Sequence, residues 1–138
     1  MRLITLLIIH CSAVGPMMTS SVKQINDWHL AKGWKNGCGY HYVIRRSGEI
    51  EVGRPEEMIG AHCLNHNRHS IGICYEGGLD ANGEPADTRT LEQKASMLVL
   101  LTDLKKKYPK AIIVSHNTFS NKDCPCFDAA SEYKDLQP

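Results

Sequence analysis

A chain of 138 residues is the size of one domain with one core. A hydrophobic share of 42% and a charged share of 22% exclude a disordered polyelectrolyte. The formal net charge of +1 gives no reason to expect nucleic acid or an anionic membrane as a partner.

Six cysteines in so short a chain raise the question of a disulfide framework. Cys11, Cys38, Cys63 and Cys74 follow no spacing pattern, and Cys124 and Cys126 are too close together to link separate elements. Mostly free thiols and a reducing compartment are expected, with a bridge between two of the first four left open.

Met1-Arg2 and the apolar run after it resemble a short signal peptide, but no A-x-A cleavage site follows closely. Leu3 to Ile9 reads instead as a central strand covered on both faces, and it runs into His10. No segment is apolar for long enough to span a bilayer. After a loop with Gly15-Pro16, Thr19, Ser20 and Ser21 offer N-caps. Val22, Ile25, Trp28 and His29 then recur at helical spacing, and Gly33 ends the helix.

Tyr40 to Arg45 alternates, Ser47-Gly48 turns, and Glu49 to Val52 pairs back as a hairpin. Residues 56–69 form a polar loop with His62, His66 and His69, and Ser70 to Tyr75 is a further strand. Thr88 or Thr90 caps a long helix whose expected buried stripe is Leu91, Ala95, Leu98, Leu101, Leu104 and Tyr108, with Lys105 to Lys107 at its C-terminal end. Ala111 to Val114 is the last strand, and Asp128 caps a short closing helix through Tyr133. Strands mixed with helices, one hairpin included, predict an α/β sheet that is not purely parallel.

The last strand delivers Ser115-His116, and the same loop carries Cys124-Pro125. An imidazole and a thiolate on one loop are two of the four ligands a zinc ion takes. His10 ends the other apolar run, so two strand ends would place both imidazoles along one sheet edge. His10, His116 and Cys124 then leave a fourth position open, as a catalytic zinc site requires.

His10-Cys11-Ser12-Ala13, Gly39-Tyr40-His41-Tyr42, Ser70-Ile71-Gly72-Ile73 and Lys122-Asp123-Cys124-Pro125 occur in that order. Together they resemble the blocks of the zinc-dependent N-acetylmuramoyl-L-alanine amidases of the amidase-2 type. That group includes phage T7-type lysozymes, AmpD-like amidases and peptidoglycan recognition proteins. The resemblance covers nearly the whole chain.

It implies a central mixed sheet of about five or six strands flanked by helices, and residues 1–138 as a single amidase domain. It also implies one zinc ion per chain on His10, His116 and Cys124, with Tyr40 and Lys122 as the catalytic pair and His62 lining the substrate groove. The implied substrate is peptidoglycan, cut between N-acetylmuramic acid and L-alanine by a monomer without nucleic-acid or membrane partners. A phage or prophage endolysin is expected, made in the cytoplasm and acting on the wall after release or export. His41 is read as a core or supporting histidine, His66 and His69 as surface residues, and Glu76 as an alternative acid or base.

Two rivals belong to other classes. One is a peptidoglycan-binding module of the same fold that does not hydrolyse, disfavoured because Cys124 is present. The other is a glycosidase, which needs two spaced carboxylates that no motif selects here.

Overall fold

The computed structural model describes residues 2–138. Its elements are β1 (Leu6–Cys11), α1 (Val22–Ala31), β2 (Tyr42–Ile44), β3 (Ile50–Val52), β4 (Ser70–Tyr75), α2 (Leu91–Lys107), β5 (Ile112–Ser115) and α3 (Ala129–Glu132). The five strands form one sheet in the order β3-β2-β4-β1-β5. Strand β1 pairs parallel with β4 and β5, β2 pairs parallel with β4, and only the β2–β3 hairpin is antiparallel. The expected mixed sheet and the flanking helices are therefore both present.

The all-apolar reading of β1 has a direct cause. It lies between two other strands, and Leu7, Ile8 and Ile9 have no solvent exposure. Each such side chain contributes about 1.5–3 kcal/mol on burial. The strand spans Leu6–Cys11 rather than residues 3–9, so His10 lies inside it.

Side chains alternate across the pleat. Leu7, Ile9, Ile71, Ile73, Tyr75 and Ile113 join Met97, Leu101 and Leu104 of α2 and Ala129 of α3 in the larger core. Val43 and Cys74 face the other way and pack with Ile25 of α1. His10 belongs to this second face, opposite the main core.

Ser21 caps α1 in a capping box with Gln24, and Gly33 follows the helix at φ +87°, a conformation that favours glycine. Thr90 caps α2 in the same way with Gln93, whereas the Thr88 hydroxyl accepts from the Gly78 N–H. The buried stripe of α2 differs from the expected one: Gln93, Met97, Leu100, Leu101 and Leu104 are buried, while Leu91 and Leu98 are exposed. Gln93 sets this rotation. Its amide donates to the carbonyls of Ile44 and Glu76, both at 3.0 Å, tying two strand ends together as an apolar side chain could not; the Ile44 carbonyl also accepts from the Glu76 N–H.

All six cysteines are free thiols. Among the described residues, no helix is long and apolar enough to cross a membrane.

Candidate active site

His10 and His116 meet because β1 and β5 are parallel neighbours in register Ile9↔Ser115. The residue after each register partner is a histidine, and the two rings stand 4.4 Å apart between centroids. The third member comes from the loop after β5. The Cys11 N–H donates to the Cys124 sulfur at 3.1 Å, which fixes the thiol beside β1. Ligand atoms of His10, His116 and Cys124 all lie within 4.8 Å of one another.

The loop that carries Cys124 is held from Cys124 to Phe127. The Tyr75 hydroxyl donates to the Pro125 carbonyl at 2.6 Å, and the Ser115 hydroxyl donates to the Phe127 carbonyl at 3.0 Å. The Arg89 guanidinium lies 3.4 Å over the Phe127 ring and is itself fixed by Asp87 and Glu132. Cys126 is turned aside at φ +72°, with its thiol toward the Gly78 carbonyl at 3.4 Å. It is not part of the cluster. Burial and the neighbouring Cys11 push its thiol up to about 12.

The donor set suits a zinc ion. His116 Nδ1 is buried without a hydrogen-bond partner, an atom whose desolvation nothing in the protein offsets. His10 Nε2 is engaged by His62 Nδ1 at 2.8 Å, which leaves its Nδ1 for a ligand. Burial lowers the pKa of His10 well below the usual value, and His62, His116 and Lys122 add to the effect. Burial, then Lys122, lowers His116 as well. Both rings are thus held neutral, the form that binds metal. Two imidazoles and a thiol are a common zinc ligand set.

The cluster opens into a groove. Cavities of about 370 and 430 Å³ adjoin there, and both are lined by His29, Lys32, Tyr40, His116 and Lys122. Tyr40 precedes β2, with its ring 5.1 Å from that of His10. Burial raises the Tyr40 pKa well above its usual value, and the nearby Cys74 and Cys124 thiols reinforce this, so its hydroxyl is a donor. Lys122 is exposed at the rim.

His62 lines the second cavity and also contacts His10. Room for its ring exists because residue 72 is glycine: a Cβ there would stand 2.6 Å from the imidazole. His41 is fully buried, accepting from the Gly72 N–H at Nδ1 and pairing with the Met58 carbonyl through Nε2. His66 and His69 remain partly exposed and pair with each other at 3.2 Å.

Glu76 is not free for acid–base work. It is buried and accepts from the Ser20 N–H, the Arg46 N–H and Arg45. Burial alone would raise its pKa, but these donors outweigh it and hold the carboxyl low. Among the described residues, no carboxylate lines either cavity of the groove.

The sequence reading passed over His29, taken there only as one residue of a helical stripe. It is buried, accepts from the Gly39 N–H at 2.9 Å, and packs 4.3 Å from Trp34. A histidine on a buried helical face needs a polar partner, and the Gly-rich segment before Tyr40 was the available signal.

The fold and the cluster together define an α/β domain with a candidate metal centre in an open groove. The chain matches the Amidase_2 family, N-acetylmuramoyl-L-alanine amidase, over residues 1–127, and it belongs to that family. It is 40% identical over 120 residues to the endolysin of Enterobacteria phage K11, covering 87% of this chain and 79% of that one. The endolysin of Escherichia phage T7 is 39% identical with the same coverage. Among solved structures, the N-acetylmuramoyl-L-alanine amidase LysC from Clostridium intestinale URNW superposes with a TM-score of 0.81 at 28% identity, covering 96% of this chain and 83% of LysC.

Proposed function

We propose that the chain is a phage-type lytic enzyme that hydrolyses, with one zinc ion, the amide bond between N-acetylmuramic acid and L-alanine in peptidoglycan. Amidase activity follows from the family and from the phage endolysin relatives. The observation that carries the zinc-dependent reading is the cluster of His10, His116 and Cys124 within 4.8 Å, with a buried and unpartnered His116 Nδ1.

These three residues would hold the ion. Zinc, when bound, polarises a carbonyl and brings the pKa of a water toward about 7. The chain's own residues supply the rest. Tyr40, kept protonated by burial, donates a hydrogen bond to the oxygen that becomes negative as the amide carbonyl is attacked. Lys122, shared by both cavities, brings its positive charge to the same side. The groove extends to either side of this point, as binding of a sugar on one side and a peptide on the other requires. The absence of a carboxylate along it argues against a glycosidase. The thiol that a binding-only module would lack is in place.

Incubation with a defined muropeptide, followed by mass spectrometry of the products, tests the reading. Free stem peptide and an intact glycan are expected, abolished by a chelator and restored by zinc. Products cut at the glycosidic bond, or full activity in the metal-free protein, would overturn it.

A further inference from the structure

Tyr75 is the last residue of β4, and its side chain has no solvent exposure. It lines neither cavity of the groove, so it cannot touch a substrate there. Its ring packs in the main core near Phe127, with centroids 6.4 Å apart. A phenylalanine would fill that space. The hydroxyl needs its own explanation, because a buried hydroxyl is costly unless it is hydrogen-bonded. Its partner is the Pro125 carbonyl, at 2.6 Å and fully buried.

Pro125 follows Cys124, and a proline has no N–H, so its carbonyl is its sole backbone polar group. On the other side of the same thiol, the Cys11 N–H donates to the Cys124 sulfur. Cys11 is the register partner of Tyr75 across β1 and β4. Two adjacent strands thus each give one donor to the Cys124–Pro125 segment, β1 to the sulfur and β4 to the next carbonyl.

We propose that Tyr75 is a positioning residue of the metal centre, whose hydroxyl fixes the Cys124 sulfur relative to His10 and His116 and so sets metal affinity. This rests on the reading of those three residues as zinc ligands. It assigns the hydroxyl to the metal centre rather than to the stability of the sheet.

The test is Tyr75→Phe, which keeps the ring and removes one oxygen. Zinc affinity is measured by competition with a chromophoric chelator, and thermal unfolding is followed on the metal-free protein. Zinc binding should weaken about ten- to a hundredfold, as with other groups that hold a ligand in place. The melting temperature without metal should fall only by what the unpaired Pro125 carbonyl costs, and the zinc-loaded protein should lose more. Tyr42→Phe, which removes a hydroxyl bonded to Glu56 away from the cluster, should leave zinc affinity unchanged. Wild-type zinc affinity in Tyr75→Phe would overturn the inference while leaving the ligand assignment standing. So would a metal-free melting temperature that falls as far as the metal-loaded one, because the hydroxyl would then serve the core alone. A wild-type protein that fails to bind zinc would instead sink the ligand assignment, and the inference with it.

Discussion

His10 Nε2 and His62 Nδ1 lie 2.8 Å apart, and His62 Nε2 lies 3.1 Å from the Ser70 hydroxyl. A hydrogen bond between two ring nitrogens needs one proton, so one ring donates and the other accepts. Burial lowers the pKa of His62 to about 3, which keeps the pair uncharged near neutral pH. His62 thereby fixes the orientation of His10 and the nitrogen His10 has left for a metal. His62→Ala should weaken zinc binding about ten- to a hundredfold, in the range found for such supporting contacts. Chelator competition measures it, and unchanged affinity would confine His62 to the groove.

The ligand set makes a sharper statement. His10→Ala, His116→Ala and Cys124→Ala should each lose most of the zinc, because two anchors hold the ion poorly. Cys126→Ser should keep it, since that thiol points to Gly78. Elemental analysis of the purified variants decides the matter. Metal retained in Cys124→Ser and lost in Cys126→Ser would reverse the assignment.

Tyr40→Phe and Lys122→Ala should keep zinc and lose turnover. Loss of one donor to a developing oxyanion costs about a hundredfold to a thousandfold in rate. The loss should fall on kcat rather than KM, since the charge exists only in the transition state. Kinetics and metal content are to be read from the same samples. Wild-type turnover in Tyr40→Phe would reduce that residue to packing.

Acid should destabilise the metal-free protein through His29. Burial, with a contribution from Lys32, lowers its folded pKa to about 4, against about 6.5 in the unfolded chain. Between those values the unfolded state binds more protons, so stability rises with pH and is lost as pH falls from about 6.5 toward 4. The full effect is roughly 3 kcal/mol for this one group. Melting temperatures across that range should fall less steeply in His29→Gln. An identical slope would show that the loss is carried by the other buried histidines, His10, His62 and His116, without His29.

Arg89→Met should cost about 2–3 kcal/mol in urea unfolding. That is less than the 3–5 of a fully enclosed ion pair, because Glu132 stays 40% exposed. The variant also removes the cation over Phe127, so the loop that carries Cys124 should become more open to proteases. Stability equal to wild type would mean that Asp87 and Glu132 rehydrate without cost.

Periodicity made most elements legible. Ser70–Tyr75 and the hairpin stood out through β-branched residues bounded by glycine, and both capped helices through their hydroxyl residues. The two histidines were legible near strand ends because apolar runs led into them, although His10 lies one residue inside β1 and His116 one residue past β5. The face of α2 did not, because a glutamine took a core position by bonding strand carbonyls, and apolar counting gives such a residue no weight. Tyr75 read as one more strand aromatic, since its partner lies 50 positions away. The role of His62 depended on Gly72, whose missing side chain matters only once two segments are superposed in space.

The sheet order has a consequence for synthesis. β1 is the first strand made, β5 is the last, and β5 lies at the sheet edge. Cys11 and the thiol it steadies are 113 positions apart. Strands β1 to β4 can pair while the chain is still being translated, but neither His116 nor Cys124 can reach His10 until the segment through Cys124 has left the ribosome. Contacts this distant in sequence are also the slowest to close. Nascent fragments that stop short of Cys124 therefore cannot bring His10, His116 and Cys124 together.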